Sequence, residues 1–207
     1  MKSGSNSDGS KLPLVEHFYT LQGEGFNTGK AAYFLRIGGC DVGCRWCDSR
    51  YSWNPDIHPM VSVENIVEFV SASGADSVVI TGGEPLMWNM SPICTELKRR
   101  NITIYLETSG AHPLSGKWDW ICLSPKMNAP PEEDILQQAN ELKVIIEKET
   151  DFGWAEEMSA KVPDNCHLFL QAEWSQVEVI TGTIVDYILK NSKWMISLQS
   201  HKYIKIP

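Results

Sequence analysis

"VSVENIVEFVSASGADSVVITGGEP", residues 61–85, sets the fold. Its first half repeats valine and isoleucine at helical spacing, opens on a Ser/Glu start resembling a capping box and stops at a glycine. Its second half, "DSVVI", is a short apolar run that ends in glycines, the pattern of a buried strand entering a tight turn. The unit recurs downstream: "MSPICTELKRRN" (90–101) then "ITIYLETSG" (102–110), a shorter connection then "WDWICLSPK" (118–126), and "EEDILQQAN" (132–140) then "ELKVIIE" (141–147). "FGWAEEMSAKVP" (152–163) then "CHLFLQAEW" (166–174), and "QVEVITGTIVDYILKN" (176–191) then "KWMISLQSHK" (193–202), complete the series. Strands that alternate with helices imply a parallel sheet with right-handed crossovers.

Upstream, "LVEHFYTLQGEG" (14–25) reads as a β-like run ending in a glycine turn, and "AAYFLRIGG" (31–39) as a second strand feeding a cysteine-rich loop, "GGCDVGCRWCDS" (38–49). Six strands follow that loop and one leads into it, short of an eight-fold barrel, whose usual length also exceeds 207 residues. The expected fold is α/β: a partial, open (β/α) barrel of about six to seven mainly parallel strands. The polar, Gly/Ser-rich start "MKSGSNSDGS" (1–10) is set aside as a disordered tail or tag, leaving one domain over 11–207.

"TGGEP", "ETSG", "SPK", "LQAE" and "LQSH" each begin where an apolar strand ends. Parallel α/β folds place ligands at the carboxyl ends of their strands, so these segments are expected to converge on the rim that carries the cysteine loop. Cys40, Cys44 and Cys47, spaced C-x3-C-x2-C, are too close together for three separate roles and can ligate a metal as thiolates. Structural zinc would need a distant fourth ligand. A four-iron cluster held by three thiolates would leave one iron open for another molecule. The motif alone leaves both open. Cys94, Cys122 and Cys166 sit singly among apolar neighbours and read as buried small hydrophobes.

The formal charge of −8 offers no broad basic face, so nucleic acid is not an expected partner. No apolar run reaches a membrane span and the N-terminus lacks the basic and apolar regions of an export signal, which points to a cytoplasmic protein without a membrane partner. Six cysteines in that compartment are read as thiols or ligands.

C-x3-C-x-aromatic-C, with Trp46 in the aromatic position, resembles the signature loop of the radical S-adenosylmethionine (SAM) enzymes. "TGGEP" (81–85) resembles that superfamily's second motif, whose glycines let the backbone approach closely while a glutamate accepts from an ammonium. "LQGEG" (21–25), Arg36 before the loop, "CDS" at its end and the C-terminal "QSHKYIKIP" together resemble the 7-carboxy-7-deazaguanine synthases, from about residue 14 to the terminus. A glycyl-radical activase would share the cysteine loop and "TGGEP" but has no use for "LQGEG" with Arg36. A non-enzymatic iron–sulfur or zinc module would need a fourth protein ligand.

The resemblance implies a lyase that converts 6-carboxy-5,6,7,8-tetrahydropterin to 7-carboxy-7-deazaguanine with loss of ammonia, in queuosine biosynthesis. It implies a [4Fe–4S] cluster on Cys40, Cys44 and Cys47, SAM as cofactor, and Mg²⁺ on the hydroxyl of Ser49. SAM would be met by Trp46, Cys47 and Asp48, by Gly82, Gly83 and Glu84, by Gly110, by Ser124, Pro125 and Lys126, and by Gln171. The pterin would be met by Leu21, Gln22, Gly23 and Glu24, by Arg36 holding its carboxylate, by Thr108, and by His201 and Pro207. Threonine is expected at positions 49 and 200, where this chain keeps the oxygen as Ser49 and Ser200. A homodimer fed by an electron donor such as flavodoxin or ferredoxin is implied as well. Lys143 and Glu107, charges alternating with apolar residues, read as interior-facing or simply paired.

Overall fold

The computed structural model describes residues 8–207, so residues 1–7 of the expected tail lie outside it. In chain order it contains β1 (Lys11–Leu21), β2 (Ala31–Ile37), β3 (Met60–Ser62), α1 (Val63–Ala72), β4 (Ser77–Gly82), α2 (Ser91–Arg99), β5 (Thr103–Thr108) and β6 (Trp120–Leu123). α3 (Glu133–Leu136), β7 (Glu141–Ile146), α4 (Asp151–Ser159), β8 (His167–Ala172), α5 (Val177–Lys190), β9 (Trp194–Ser197) and α6 (Ser200–Ile204) follow.

The nine strands form one sheet in the order β3-β1-β2-β4-β5-β6-β7-β8-β9. Every pair from β2 through β9 is parallel, which makes seven parallel strands and an open barrel with β3 and β9 at its edges. β1 departs from that pattern, pairing antiparallel with β2. The reason is the connection: residues 22–30 are too few for a parallel crossover, and the turn is closed by Gln22 N–H to Lys30 O (2.8 Å) and Gly29 N–H to Gln22 O (2.8 Å). β3, hidden in the sequence beside the start of α1, adds a three-residue antiparallel edge to β1.

α1 shows why these units form. Ser62 Oγ accepts from Asn65 N–H (3.3 Å), satisfying one orphan donor, but the third helical position is Asn65 rather than an acid, so the return arm of a capping box is missing. Val63, Ile66, Val67 and Val70 form its buried stripe, in the same core as Val78 and Ile80 of β4. Cys94, Cys122 and Cys166 are all buried. β7 separates two environments: Leu142, Val144 and Ile146 face the helices, while the alternate residues Glu141 and Lys143 are buried on the barrel side. Just before β1, Ser10 O accepts from Val63 N–H (2.9 Å), tying the start of the described chain to α1.

Candidate active site

The cysteine loop hangs from the end of β2 and is moulded by backbone contacts. Gly39 N–H donates to Ser52 O (2.7 Å), Cys40 N–H to Trp53 O (3.1 Å), and Trp88 Nε1–H to Gly38 O (2.8 Å). Gly83 must be glycine: a Cβ there would lie 2.3 Å from Gly39 O and 2.9 Å from Cys40 Cβ. The "TGGEP" turn is thus pressed flush against the loop, and Gly83 N–H and Glu84 N–H donate to Ile37 O (3.0 Å) and Gly39 O (2.8 Å).

Cys40, Cys44 and Cys47 line one cavity of ≈ 390 Å³ at the carboxyl ends of the strands. Burial pushes the Cys40 thiol up to about 11, and burial also raises Cys44, against the pull of Lys126. Half-buried thiols of this kind ionise when a metal compensates them. Cys47 Sγ accepts from Trp53 Nε1–H at 3.3 Å. Among the described residues no three His, Cys, Asp or Glu side chains converge as ligands of a single ion. Three thiolates that each take a different iron of a cluster need not converge on one point, and an all-thiolate donor set suits iron–sulfur chemistry.

The same cavity receives Trp46, Asp48, Gly82, Gly83 and Glu84, and, from the far strands, Ser124, Lys126 and Gln171. Lys126 Nζ donates to Ser124 O (2.6 Å) and Oγ (2.7 Å), and burial lowers its pKa. Gln171 Oε1 accepts from Ser197 Oγ–H at 2.6 Å. Two expected residues stand apart. Gly110 packs against Leu123 and Ile135, where its φ of +75° and the lack of room for a Cβ explain the glycine, and Pro125 lines a neighbouring cavity of ≈ 350 Å³ beside Trp46 and Lys126.

Glu84 is 1% exposed and fully engaged. One oxygen accepts from Thr108 Oγ1–H (2.5 Å) and Leu86 N–H (3.1 Å), the other from Ser109 N–H (2.8 Å) and Ser109 Oγ–H (2.5 Å). Its lone pairs are taken, so it would accept from a ligand's ammonium only by exchanging one of these donors. Ser109, unnoticed in the sequence, is therefore part of the site.

A second cavity of ≈ 240 Å³ adjoins the first. Leu21 at the end of β1 and Gln22, Gly23 and Glu24 in the turn after it line the cavity, with Arg36 from β2, and His201 and Pro207 from the C-terminal segment. Of the residues expected to meet the pterin, Thr108 alone is on the larger cavity instead. Ser49, Asp48, Thr81, Gly82, Glu24 and Glu107 belong to both. Arg36 Nε–H donates to Glu16 at 2.6 Å, and Tyr51 O–H donates to the same oxygen at 2.9 Å. The terminal guanidinium nitrogens of Arg36 have no protein partner among the described residues.

α6 closes the second cavity through backbone contacts. Ser200 N–H and Oγ–H both donate to Gly23 O at 2.9 Å, and a Cβ on Gly23 would strike the His201 ring at 2.2 Å. Burial lowers the His201 pKa, with Glu24 opposing. Lys202 Nζ donates to Asp48 at 3.0 Å, so the C-terminal helix is also latched to the cysteine loop.

Between the cavities lies a buried charge network. Lys143 Nζ donates to Glu24 (2.5 Å) and Glu107 (2.9 Å); their other oxygens accept from Gln199 Nε2–H (2.9 Å) and Gln22 Nε2–H (3.0 Å). Burial works against the charged form of Glu24, but the Lys143 ammonium prevails and holds the carboxyl well below its usual range. The signal in the sequence was the charge alternation in "ELKVII", a pattern that pairing alone could also explain.

Residues 35–124 match the model of the Radical SAM superfamily. The chain is 54% identical to a 7-carboxy-7-deazaguanine synthase of Flavobacterium psychrophilum, over 96% of this chain and 94% of that one. It is 47% identical to the synthase of Synechocystis sp., over 94% and 93%. The crystal structure of QueE from Escherichia coli superposes with a TM-score of 0.83 at 30% identity, covering 92% of this chain and 95% of that one. With this cysteine loop, this open barrel and relatives matched over nearly their whole length, the chain belongs to the 7-carboxy-7-deazaguanine synthase family of radical SAM enzymes.

Proposed function

We propose that the chain converts 6-carboxy-5,6,7,8-tetrahydropterin to 7-carboxy-7-deazaguanine with loss of ammonia, a lyase step of queuosine biosynthesis; the product is the one in its relatives' name. As a radical SAM enzyme it uses a [4Fe–4S] cluster and SAM, acts on a small molecule and requires a reductant. The observation that carries the substrate reading is the pair of adjoining cavities, one lined by the three thiols, the other by Arg36 and the 21–24 turn, with Ser49 and Asp48 on their common wall.

The roles follow from the donors and acceptors present. Cys40, Cys44 and Cys47 would hold the cluster. Trp46, Asp48, Ser124, Lys126 and Gln171 would hold SAM, with Gly82 and Gly83 lending close backbone approach and Glu84 giving up one of its four donors to the ammonium. Bound together, cluster and SAM supply reductive cleavage of the sulfonium and a carbon-centred radical that abstracts hydrogen. Arg36 would present its terminal N–H groups as a fork to the pterin carboxylate while Glu16 fixes the guanidinium from behind. Glu24, beside Gln22 and Gly23, would accept from the pterin's guanidine-like edge. His201 and Pro207 would cover the substrate and exclude water.

Mg²⁺ would be held by the hydroxyl of Ser49, a residue that lines both cavities, an oxygen donor of the kind this ion takes. It would fix the carboxylate and hence which hydrogen faces the cofactor. Ser200, the other position where threonine was expected, spends its hydroxyl on Gly23 O. A homodimer is supported by the apolar side chains Leu198, Tyr203 and Ile204, all more than 45% exposed in the segment that follows the open edge strand β9. A flavodoxin or ferredoxin as donor is supported by exposed Arg50, just past the cysteine loop, and by exposed Arg45 on it, which is paired with Glu147, cations suited to an acidic redox partner. None of the described helices is long and apolar enough to cross a membrane.

The test is anaerobic turnover of reconstituted, reduced protein with SAM, Mg²⁺ and the pterin. Formation of 7-carboxy-7-deazaguanine with little net loss of SAM is the expected result. SAM cleavage without that product would discard the pterin as substrate.

A further inference from the structure

Lys143 stands near the middle of β7 with its side chain 4% exposed, where an unpaired ammonium would be untenable. It is paired twice, to Glu24 from the turn after β1 and to Glu107 from β5. Each carboxylate gives Lys143 one oxygen and a glutamine amide the other, Gln199 for Glu24 and Gln22 for Glu107. The set joins four parts of the chain that are remote in sequence. Both carboxylates face both cavities, so the set forms part of their shared wall.

Two carboxylates and one ammonium carry a net charge of −1. Without the ammonium, two buried carboxylates held this close repel each other, and the pair takes up one proton more readily than two isolated carboxylates do as pH falls. The other titratable groups felt at Lys143 are Cys122 on β6 and Glu141 on β7, with Lys126 and His201 at its margins, and none of these donates to either carboxylate. Lys143 accordingly stays protonated, its pKa raised well above the ordinary value by the surrounding acidic groups despite its burial.

Resting on the proposed reaction, we infer that Lys143 is a positioning residue: it fixes Glu24 and Glu107 as an ionised pair with one surplus negative charge, and that charge receives the N–H edge of the pterin's pyrimidine ring. The surplus matters because a fully neutralised set would accept weakly, while a doubly charged one would repel itself out of register.

The experiment measures KM for the pterin and for SAM across pH in the reconstituted wild-type enzyme, Lys143→Met, Glu107→Gln and the double variant Lys143→Met/Glu107→Gln. Lys143→Met should raise the pterin KM about tenfold or more near pH 8. That defect should shrink as pH falls, because the two glutamates then share one proton and regain a net charge of −1. The double variant, also at −1, should recover pterin KM at every pH, whereas SAM KM should move little in any variant. Glu107→Gln, which keeps the Lys143–Glu24 pair but removes the surplus charge, should also raise pterin KM and serves as the test if Lys143→Met does not fold. A wild-type pterin KM in Lys143→Met or in Glu107→Gln, a pH-independent defect in Lys143→Met, or a double variant no better than the single one would overturn the inference. Absence of pterin turnover by the wild type would overturn both this inference and the substrate reading, an outcome distinct from those that sink the inference alone.

Discussion

Arg36 lines the smaller cavity with one nitrogen committed to Glu16 and its terminal nitrogens without a protein partner among the described residues, an arrangement that separates holding the arginine from using it. Arg36→Ala should leave a reducible cluster and SAM binding in place yet lower kcat/KM for the pterin about a hundredfold or more, the scale of losing a buried charge-assisted pair. Arg36→Lys should not rescue it, since a lysine cannot present the fork. Cys40→Ala, Cys44→Ala and Cys47→Ala should each abolish the cluster's visible absorbance and all SAM cleavage; equal phenotypes for the arginine and cysteine variants would refute the division between cavities. Ser49→Ala should raise the Mg²⁺ concentration needed for half-maximal rate without affecting cluster assembly, which a magnesium titration reads directly. The thiol spacing, Trp46, Arg36 and the 21–24 turn were legible because each lies within a short stretch of sequence. The saturation of Glu84 by Thr108 and Ser109 was not, because those donors arrive from the next strand and only the folded sheet sets them beside it.

Among the elements, β7 carries the most consequence per residue. Its outward side chains fill the core beneath the helices, and its inward ones, Glu141 and Lys143, are buried charges. Glu141 Oε2 accepts from Trp120 Nε1–H (3.0 Å) and Phe26 N–H (3.3 Å), while Oε1 is buried without a partner. Burial, the largest cause, holds this carboxyl above its ordinary 4.5. An acid whose folded pKa is raised contributes stability that is full below its unfolded pKa and is lost as pH rises through the folded one. Wild-type melting temperature should therefore fall as pH rises above about 4.5 by more than that of Glu141→Gln, the two curves converging in acid. Parallel melting curves across that range would show that Glu141 is ionised at no cost. The alternation of strands and helices was readable because the apolar period changes from helical to strand spacing at each boundary. The antiparallel seat of β1 and the short β3 were not, since strand direction depends on where a neighbour lies rather than on local pattern.

At the scale of the molecule, an open barrel brings the C-terminal segment back over the first turn of the chain, so Gly23, His201 and Pro207 share one cavity, and Ser200 bonds to Gly23 across 177 positions of sequence. That closure was foreseen through family resemblance alone; no local signal in "QSHKYIKIP" says which turn it covers. The proposed homodimer would use exposed Leu198 and Ile204, which follow the open edge strand β9 in sequence: Leu198→Asp combined with Ile204→Asp should shift the protein from dimer to monomer in sedimentation velocity, and an unchanged sedimentation coefficient would contradict this placement of the interface. The two adjoining cavities would hold cofactor and pterin so that hydrogen passes directly between them. The most direct measurement is turnover of pterin deuterated at the carbon bearing the carboxylate, followed by mass spectrometry of the recovered SAM. Deuterium should appear in SAM as product accumulates; product formed with no label in SAM would contradict the account.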